Sequence, residues 1–393
     1  MSWDMSWDTL VPLAEPSCSL QNQGEHHAIE LDSSHKFCFY VSHRNIYITM
    51  ANNTATNLSA EALFRSGLEF AGFEQPANQT EHEKRRHMNR DMRRFKAHYG
   101  IGPEAIKALI ADLESIQGKA VTPKCLFLTI CWLRLYETEE VMAGRWGWGE
   151  KKCREIKNEY LESIHRLKTH KISFVGLNPN CKFLGVDCIH VPSTEFRVTP
   201  HSKWWSHKSN GPGVSFEIVC DPVVGKIRQV EICTGWLLIV LSPAYVYHFL
   251  FRWVAGPQPA SVHDITILRG GKVKDGKEKW NRQALYWNVP QGVKLVGDSG
   301  YSGQQDKVTT TKDAHSKETK QLFARIKSQV ETANGRFKNF KILTTGFRHY
   351  AGPAGLEDEQ KTIAKLSKIK TAFETVVVLV EYDIENGHPL FVV

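Results

Sequence analysis

Three acidic residues stand out because of the segments that carry them. Asp187 lies inside the apolar run FLGVDCIH, Asp298 follows the apolar run VKLVG, and Glu331 lies in a segment with helical spacing. An aspartate in an apolar strand is unfavourable to bury unless it is paired or holds a metal ion. Two strand aspartates and a helix glutamate supply the hard oxygens with which paired Mg²⁺ ions clamp a phosphodiester for in-line displacement. The three acids therefore predict metal-dependent phosphoryl transfer.

Asp298 also has a simpler interpretation. It follows Gly297 and precedes Ser299 and Gly300, so it could be a turn residue whose side chain bonds its own backbone. Its distance along the chain from Glu331 favours the site: Glu331 follows by 33 residues. This separation is expected when a strand-end aspartate is followed by a loop and by a helix that carries the glutamate.

The segment around Glu331 is predicted to be an amphipathic helix. Over residues 321–341, apolar residues recur at alternating steps of three and four, which places them on one face. Glu331 is the only acid in this segment, whereas an ordinary solvated helix mixes its charges. We interpret it as a carboxylate kept for a metal ion beside a phosphate-binding track. The five bases of the segment are Arg325, Lys327, Arg336, Lys338 and Lys341.

A helical region precedes the acidic residues. Residues 102–171 show helical spacing, and within them a short predicted helix reaches Trp146, glycines follow, and a new helix begins near Glu150. This order is typical of a helix-turn-helix, whose second helix contacts DNA through its N-terminal part. The basic residues predicted to do so are Lys151, Lys152, Arg154 and Lys157. A purely structural helical subdomain is the alternative.

Charge and cysteine content give weaker indications of the partners and the metal content of the protein. The net charge of +8 is weak evidence for a polyanionic partner. Seven of the 13 residues from Lys84 to Lys96 are basic, which fits a solvated helix face, a phosphate-contacting helix or a nuclear import signal. The nine scattered cysteines contain no Cys-x-x-Cys pair, so we expect reduced thiols and no structural zinc. Residues 1–60 lack periodicity and predict a mostly disordered or weakly ordered extension.

An apolar segment interrupts the region between Asp187 and Asp298. Residues 230–252 contain two apolar runs divided by Pro243, each too short to span a bilayer, so no membrane span is predicted. Without them, the flanking residues read as one strand and loop. We interpret residues 230–252 as an insertion, which a translated intron would explain.

Asp264 follows this segment. It stands three residues after Ser261, a spacing that predicts a capping box at a helix start. An auxiliary role in the active site is the alternative.

Taken together, these stretches resemble the PIF/Harbinger-like DDE transposases and the nuclease-like proteins derived from them. The likeness extends over about residues 100–393 and combines several pieces, none of which is specific alone. The matching stretches are GVDCIHVP, ASVHDITIL, LVGDSGY, VETANGRFKNFK and FETVVVLVEYDIENGHPLF.

The resemblance implies an α/β architecture: an RNase H-like catalytic domain, with a mixed sheet flanked by helices, over residues 180–393. An all-α domain of the helix-turn-helix type, over residues 80–172, precedes it. The resemblance makes Asp187, Asp298 and Glu331 the ligands of two Mg²⁺ or Mn²⁺ ions, with Asp264 as an accessory residue. Arg336 and Lys338 would contact DNA phosphates.

The implied reaction is DNA cleavage at element ends followed by strand transfer. The implied partners are double-stranded DNA carrying terminal repeats and a target site, further copies of the chain on that DNA, and in some cases a separate DNA-binding protein. A nuclear location in a eukaryotic host is expected. Two alternatives stay open: a domesticated or inactive descendant that binds DNA, and a nuclease of another nucleic acid.

Overall fold

The protein is described by a computed structural model. It describes residues 58–73, 80–194, 201–206, 210–222, 250–271, 273–274, 277–278, 280–348 and 357–388, and the backbone of residues 38–42 and 45–49. The predicted N-terminal extension lies mostly outside these residues. Within it, β1 (Cys38–Ser42) and β2 (Asn45–Thr49) form an antiparallel pair, which the composition did not predict.

The N-terminal part of the described chain is helical. Proline begins two of these helices, where its missing N–H costs nothing and its fixed φ suits the first turn. The helices are α1 (Ala60–Phe70), α2 (Glu81–Tyr99), α3 (Pro103–Gln117), α4 (Pro123–Leu135), α5 (Glu139–Trp146), α6 (Glu150–Arg166) and α7 (Lys168–Lys171).

The remaining elements form and cover a sheet. The strands are β3 (Phe183–Pro192), β4 (Trp205–Ser206), β5 (Gly211–Asp221), β6 (Leu250–Pro259), β7 (Val273–Lys274), β8 (Lys277–Glu278), β9 (Lys294–Val296) and β10 (Val308–Thr309). The helices are α8 (Asp264–Arg269), α9 (Leu285–Asn288), α10 (Lys317–Lys338) and α11 (Asp358–Glu385).

The sheet is mixed, as predicted. Its strands follow the order β10-β9-β3-β5, and both β4 and β6 pair with β5. β3, β9 and β10 are parallel, whereas β5 runs antiparallel to β3 and to β6. The sheet is flanked by helices and is compatible with a DDE nuclease domain.

Helices cover both faces of the sheet. On one face, the ring of Phe216 (β5) stacks on that of Phe373 (α11), with centroids 4.0 Å apart. On the other face, Val219 of the same strand packs in a cluster with Leu268 of α8 and Leu285 of α9. This alternation follows from the two-residue period of a strand. β5 is therefore buried on both sides.

α10 crosses β3 at Gly185, which lies two residues before Asp187. A Cβ on Gly185 would be 2.4 Å from Val330 Cγ2 and 3.0 Å from Ile326 Cγ2. Only a glycine permits this close approach. The missing side chain therefore lets α10 lie directly on the strand that carries Asp187.

The predicted helical region shares its core with the sheet. Buried residues of α1 to α6 belong to the same hydrophobic cluster as residues of β5, β6, α10 and α11. Polar contacts add to this packing: buried Glu374 of α11 binds His165 Nε2 at 2.6 Å and Lys168 Nζ at 2.5 Å. The division into domains at 80–172 and 180–393 stays a prediction. The described residues of the two parts contribute to one shared hydrophobic core.

The insertion needs a revised boundary. Residues 223–249, which include most of the predicted 230–252 segment, lie outside the described residues. Residues 250–252, however, are part of β6 and pair with β5. Phe251 is fully buried, and Arg252 donates to Asp221 Oδ2 at 2.6 Å, so these three residues contribute to the sheet. Among the helices of the described chain, none is long and apolar enough to cross a bilayer.

Candidate active site

Asp187 and Asp298 are aligned by the register of two parallel strands. In the β3–β9 ladder Gly185 lies opposite Val296, and each aspartate stands two residues farther along its own chain. Parallel neighbours are about 4.8 Å apart. The ladder therefore places the two aspartates side by side, Asp187 in the middle of β3 and Asp298 just past the carboxyl end of β9.

Asp298 is a turn residue, as its simpler interpretation predicted. It caps a 3₁₀ turn over Ser299–Tyr301, and its Oδ1 accepts a hydrogen bond from Gly300 N at 2.7 Å. A carboxylate has two oxygens and about four acceptor positions. The turn therefore fixes the orientation of the side chain and leaves acceptor capacity for a cation.

Asp264 meets Asp298 at Gly300. A Cβ on Gly300 would lie 2.9 Å from Asp264 Oδ2 and 2.9 Å from Asp298 Oδ1, so the two carboxylates flank one point. The capping-box prediction is wrong, because His263 caps α8 without a side-chain bond and Ser261 Oγ donates to Lys203 O instead. Asp264 is the first residue of α8 and is only 8% exposed. Its placement favours the accessory interpretation.

Asp187 is held by a residue of α10. Its Oδ2 accepts from Asn334 Nδ2 at 2.7 Å, and its Oδ1 accepts from Cys188 N at 2.8 Å. Asn334 is buried, and among the described residues its own Oδ1 has no hydrogen-bond partner. The amide therefore fixes the Asp187 carboxylate while bringing a second oxygen close to it.

Glu331 lies on the same stretch of α10. It follows Lys327 by four residues and precedes Asn334 by three, so the three side chains share one face of the helix. Lys327 lines a cavity that also contains Asp298, and Asn334 contacts Asp187. Glu331 is exposed and lies on α10 between Asn334, which contacts Asp187, and Lys327, which lines the cavity beside Asp298.

The donor chemistry of these residues fits Mg²⁺ or Mn²⁺, which take carboxylate and amide oxygens. Asp187, Asp298 and Glu331 are the residues that could hold such ions, with Asp264 beside them. No trio of His, Cys, Asp or Glu side chains in the described chain is already arranged around a metal position. The convergence of all three predicted carboxylates stays a prediction.

A buried acidic cluster lies on the other side of this sheet edge. Glu217 of β5 is fully buried, its side chain has the Trp253 indole as a hydrogen-bonding neighbour, and no cation of the described structure pairs with it. Burial raises the pKa of Glu217 to about 8, and the Asp264 carboxylate adds to that rise. Burial also raises the pKa of the Cys188 thiol and of the Tyr301 phenol, which contact each other at 3.2 Å. Glu217 is therefore protonated at neutral pH.

The residues predicted to read DNA on α6 differ in their placement. α5 and α6 are present as predicted, with Gly147 in the left-handed conformation between them. Lys151 and Lys152 are exposed, whereas Arg154 and Lys157 donate to Glu139 of α5 at 2.5 Å and 3.1 Å.

Lys157 is the clearest departure. It is only 4% exposed and its Nζ lies 4.7 Å from the Trp132 ring centroid, so its placement does not fit a phosphate contact. A DNA-binding role for the helix pair itself stays a prediction.

Arg336 and Lys338, both predicted to contact DNA phosphates, also differ in their placement. Arg336 Nη1 binds Asp383 Oδ2 of α11 at 3.2 Å, which directs the guanidinium to the helix interface. Lys338 is exposed and, seven residues after Glu331, shares its face of α10. Of these two, Lys338 is the one whose placement suits a contact with DNA.

Sequence reasoning missed Asn334, Glu217 and the cavity residue Lys327 as parts of this region. Asn334 was detectable as the polar residue one turn after Glu331 on the same helix face. Glu217 shows the signal that identified Asp187, an acid inside an apolar strand run, here VSFEIV. For Lys327, the segment has four other bases, and only the fold shows which of them faces Asp298.

Comparison with known proteins supports this region at the family level. Residues 237–380 match the family model described as DDE superfamily endonuclease. The match includes Asp264, Asp298 and Glu331, and Asp187 precedes it. No curated protein and no solved structure gives a significant match. Over these residues the chain is similar to DDE superfamily endonucleases, which points to an enzyme of the nuclease or transposase type that uses divalent metal ions.

Proposed function

We propose that the protein is a DNA transposase of the PIF/Harbinger type, which cleaves DNA and transfers the freed strand. The observation that carries this proposal is the register that places Asp187 and Asp298 side by side on neighbouring parallel strands, with Asp187 bonded to the helix that presents Glu331. The family match over Asp298 and Glu331 supports it. Asp298 lines a cavity at the protein surface and Glu331 is exposed, which suits a polymer substrate.

The chain's own residues would divide the work. Two Mg²⁺ or Mn²⁺ ions, when bound, would activate the attacking oxygen and neutralise charge at the leaving oxygen. Asp187 and Asp298 would hold them from the sheet edge, and Glu331 from α10. Asn334 orients Asp187 through its amide hydrogen bond, and the Gly300 amide orients Asp298. These two hydrogen bonds preorganise the carboxylates before DNA arrives.

The proposal includes the partners and location that the reaction requires. The substrates are the terminal repeats of an element and a target duplex. Strand transfer joins two DNA ends to one target, so we expect several copies of the chain on the DNA, with or without a separate DNA-binding protein. We expect the protein in the nucleus.

The test is nicking of labelled duplex DNA in the presence of Mg²⁺ or Mn²⁺. Asp298→Asn and Glu331→Gln should each reduce the rate about a thousand-fold, because a metal ion contributes several kcal/mol to the barrier reduction and each 1.36 kcal/mol is tenfold. Glu318→Gln, at the exposed start of the same helix, is the matched control and should retain wild-type nicking. Undiminished cleavage by both site variants would refute the proposed site.

A DNA-binding descendant without activity is the second candidate. The observation that favours it is the long segment between β5, which pairs with the Asp187 strand, and β6, which pairs with β5. In that case wild-type protein and Asp298→Asn would bind DNA equally well, and neither would nick it.

A further inference from the structure

A cavity of about 260 Å³ opens beside Asp298. Its walls are Gly297, Asp298 and Ser299 after β9, residues 310–312 after β10, and Lys327 of α10. β9 and β10 are parallel, with Thr309 opposite Val296, so the cavity lies at the carboxyl ends of both strands. The cavity therefore adjoins the candidate active site on the side away from Asp187.

Two lysines face this cavity without an acidic partner. Lys327 is half-buried and Lys312 is exposed, and neither ammonium forms an ion pair or a side-chain hydrogen bond within the described structure. Several other half-buried cations of the described chain do have acidic partners: Lys168 binds Glu374 and Lys171 binds Glu385. An unpaired, half-buried ammonium at the wall of a cavity is available to an anionic ligand.

The loop that carries Lys312 is held in place by its own hydrogen bonds. Asp313 Oδ2 accepts from Thr310 N at 2.7 Å and from Thr310 Oγ1 at 2.8 Å, and Lys312 N donates to Thr310 Oγ1 at 3.3 Å. The acid next to Lys312 is thus engaged by Thr310 rather than by the lysine. These bonds fix the backbone of the turn, so the backbone of Lys312 has a defined position beside the cavity.

We infer that Lys327 and Lys312 form a subsite for a backbone phosphate of the DNA strand that is cut. This inference rests on the proposed function, because the ligand is a phosphodiester next to the scissile one. The lysines would position the strand and read no base, since phosphate contacts fix register without carrying sequence information.

The charge distribution favours a phosphodiester over other anions. With metal ions bound at Asp298, that position and the two lysines of the cavity would form adjoining positive regions, which match successive phosphates of one strand. A small free anion would need only one of them. Lys327 also precedes Glu331 by one helical turn, so the subsite and the metal ligand are fixed to the same rigid element.

The closest alternative is that Lys327 is merely a counter-ion for Asp298. Both residues line the cavity, yet they form no ion pair within 4.0 Å among the described contacts, which leaves room for a ligand oxygen between them. A counter-ion would influence metal affinity without neutralising a phosphate, so its removal would leave the salt slope of metal-free DNA binding unchanged. The two roles therefore differ in a measurement made without divalent metal.

The experiment measures binding of a fluorescent duplex of mixed sequence to the full chain in EDTA, over a series of salt concentrations. Each neutralised phosphate contributes about −0.9 to the slope of log affinity against log salt. Lys327→Ala should make the slope shallower by about 0.9, and the double variant with Lys312→Ala by about 1.8. Lys327→Arg, which keeps the charge, should restore the wild-type slope.

Arg325→Ala is the matched control, since Arg325 is exposed and lies two residues from Lys327, on another side of α10. It should leave the slope unchanged. An unchanged slope for Lys327→Ala, in a chain whose wild type binds DNA, would overturn the subsite. An equal loss for Arg325→Ala would overturn it too, because it would indicate general charge attraction.

The subsite and the proposed function fail in different measurements. Lysine variants that bind like wild type, together with nicking that depends on Asp298, would refute the subsite and keep the transposase proposal. A shallower slope for Lys327→Ala without any nicking would keep the DNA contact and refute the transposase proposal. If the wild-type chain binds no DNA, both are refuted.

Discussion

Asp264 Oδ2 and Asp298 Oδ1 lie on either side of Gly300, each 2.9 Å from the point that a Cβ on this glycine would occupy. Asp264 is the first residue of α8, and Asp298 lies two residues after the end of β9. Two elements far apart in the chain thus present carboxylates to one point, and the absence of a side chain at position 300 keeps that point open. The geometry makes Gly300 a determinant of the candidate site.

Gly300→Ala should therefore disable the site without unfolding the protein. The new methyl group would force apart two carboxylates that must be held to within a fraction of an ångström, and such a displacement lowers rates about 100-fold. Gly144→Ala is the control, because Gly144 lies in α5 and no other residue comes within 4 Å of the position that an added Cβ would take. It should be neutral or stabilise by up to about 1 kcal/mol. Nicking assays and urea unfolding distinguish these outcomes, and wild-type nicking by Gly300→Ala would contradict the assignment.

Asn334 should tune metal affinity through Asp187. Without its amide, the Asp187 carboxylate loses the 2.7 Å hydrogen bond that orients it, and loss of such an outer partner lowers metal affinity or activity about 10- to 100-fold. We expect Asn334→Ala to weaken Mn²⁺ binding, measured by electron paramagnetic resonance, by this factor. Asn339→Ala, at the exposed end of α10, should not. Unchanged Mn²⁺ affinity in Asn334→Ala would mean that Asp187 needs no such support.

Glu217 should make stability depend on pH. Its pKa rises from 4.5 to about 8 in the folded state because the group is buried. Between these two pH values the folded chain keeps a proton that the unfolded chain has lost. The free energy of unfolding therefore falls as pH rises, by about 1.4 kcal/mol for each pH unit.

Glu217→Gln isolates this effect, because the amide resembles the protonated acid in shape and cannot ionise. The difference in free energy of unfolding between variant and wild type, from urea titrations, should grow from pH 5 to pH 8 in favour of the variant. All other titrating groups are common to both proteins and cancel. A difference that stays constant over this range would show that Glu217 is already ionised at low pH.

The sequence was sufficient for elements with a strong local pattern. The alternating steps from Phe323 to Phe340 predicted a helix, and α10 covers Lys317–Lys338. The apolar run around Asp187 predicted β3, and the run before Asp298 predicted β9. In each case the period of burial and the flanking residues agree, so the local preference and the tertiary environment point to the same element.

Roles that depend on tertiary partners could not be predicted in this way. Lys157 has the spacing of a recognition-helix cation, yet Glu139 and the Trp132 ring bury it. Ser261 has the spacing of a capping box, yet its hydroxyl donates to a loop carbonyl. Both side chains bind partners in other segments of the chain, which the spacing of nearby residues cannot predict. The same holds for the pairing of Arg336 with Asp383.

The revised insertion boundary gives the last prediction. Deleting residues 230–252 would join Gln229 to Trp253 and put Arg228 in the place of Phe251, which is fully buried with its ring 5.1 Å from that of Phe337. Deleting residues 228–251 would instead put Ile227 in that place and retain Arg252 beside Asp221.

The second deletion should therefore give the more stable protein. It keeps an apolar side chain at the buried position and preserves the ion pair between Arg252 and Asp221. Breaking a fully buried pair costs about 3–5 kcal/mol, which is the upper bound for this partly buried one. Urea unfolding of the two shortened chains measures the difference directly, with Arg252→Leu in the full chain reporting the cost of losing the Arg252 contacts without a deletion. Equal stability of the two deletions would mean that residues upstream of 228 restore β6 in another register. The boundary at residue 252 would then be as acceptable as the boundary at residue 251.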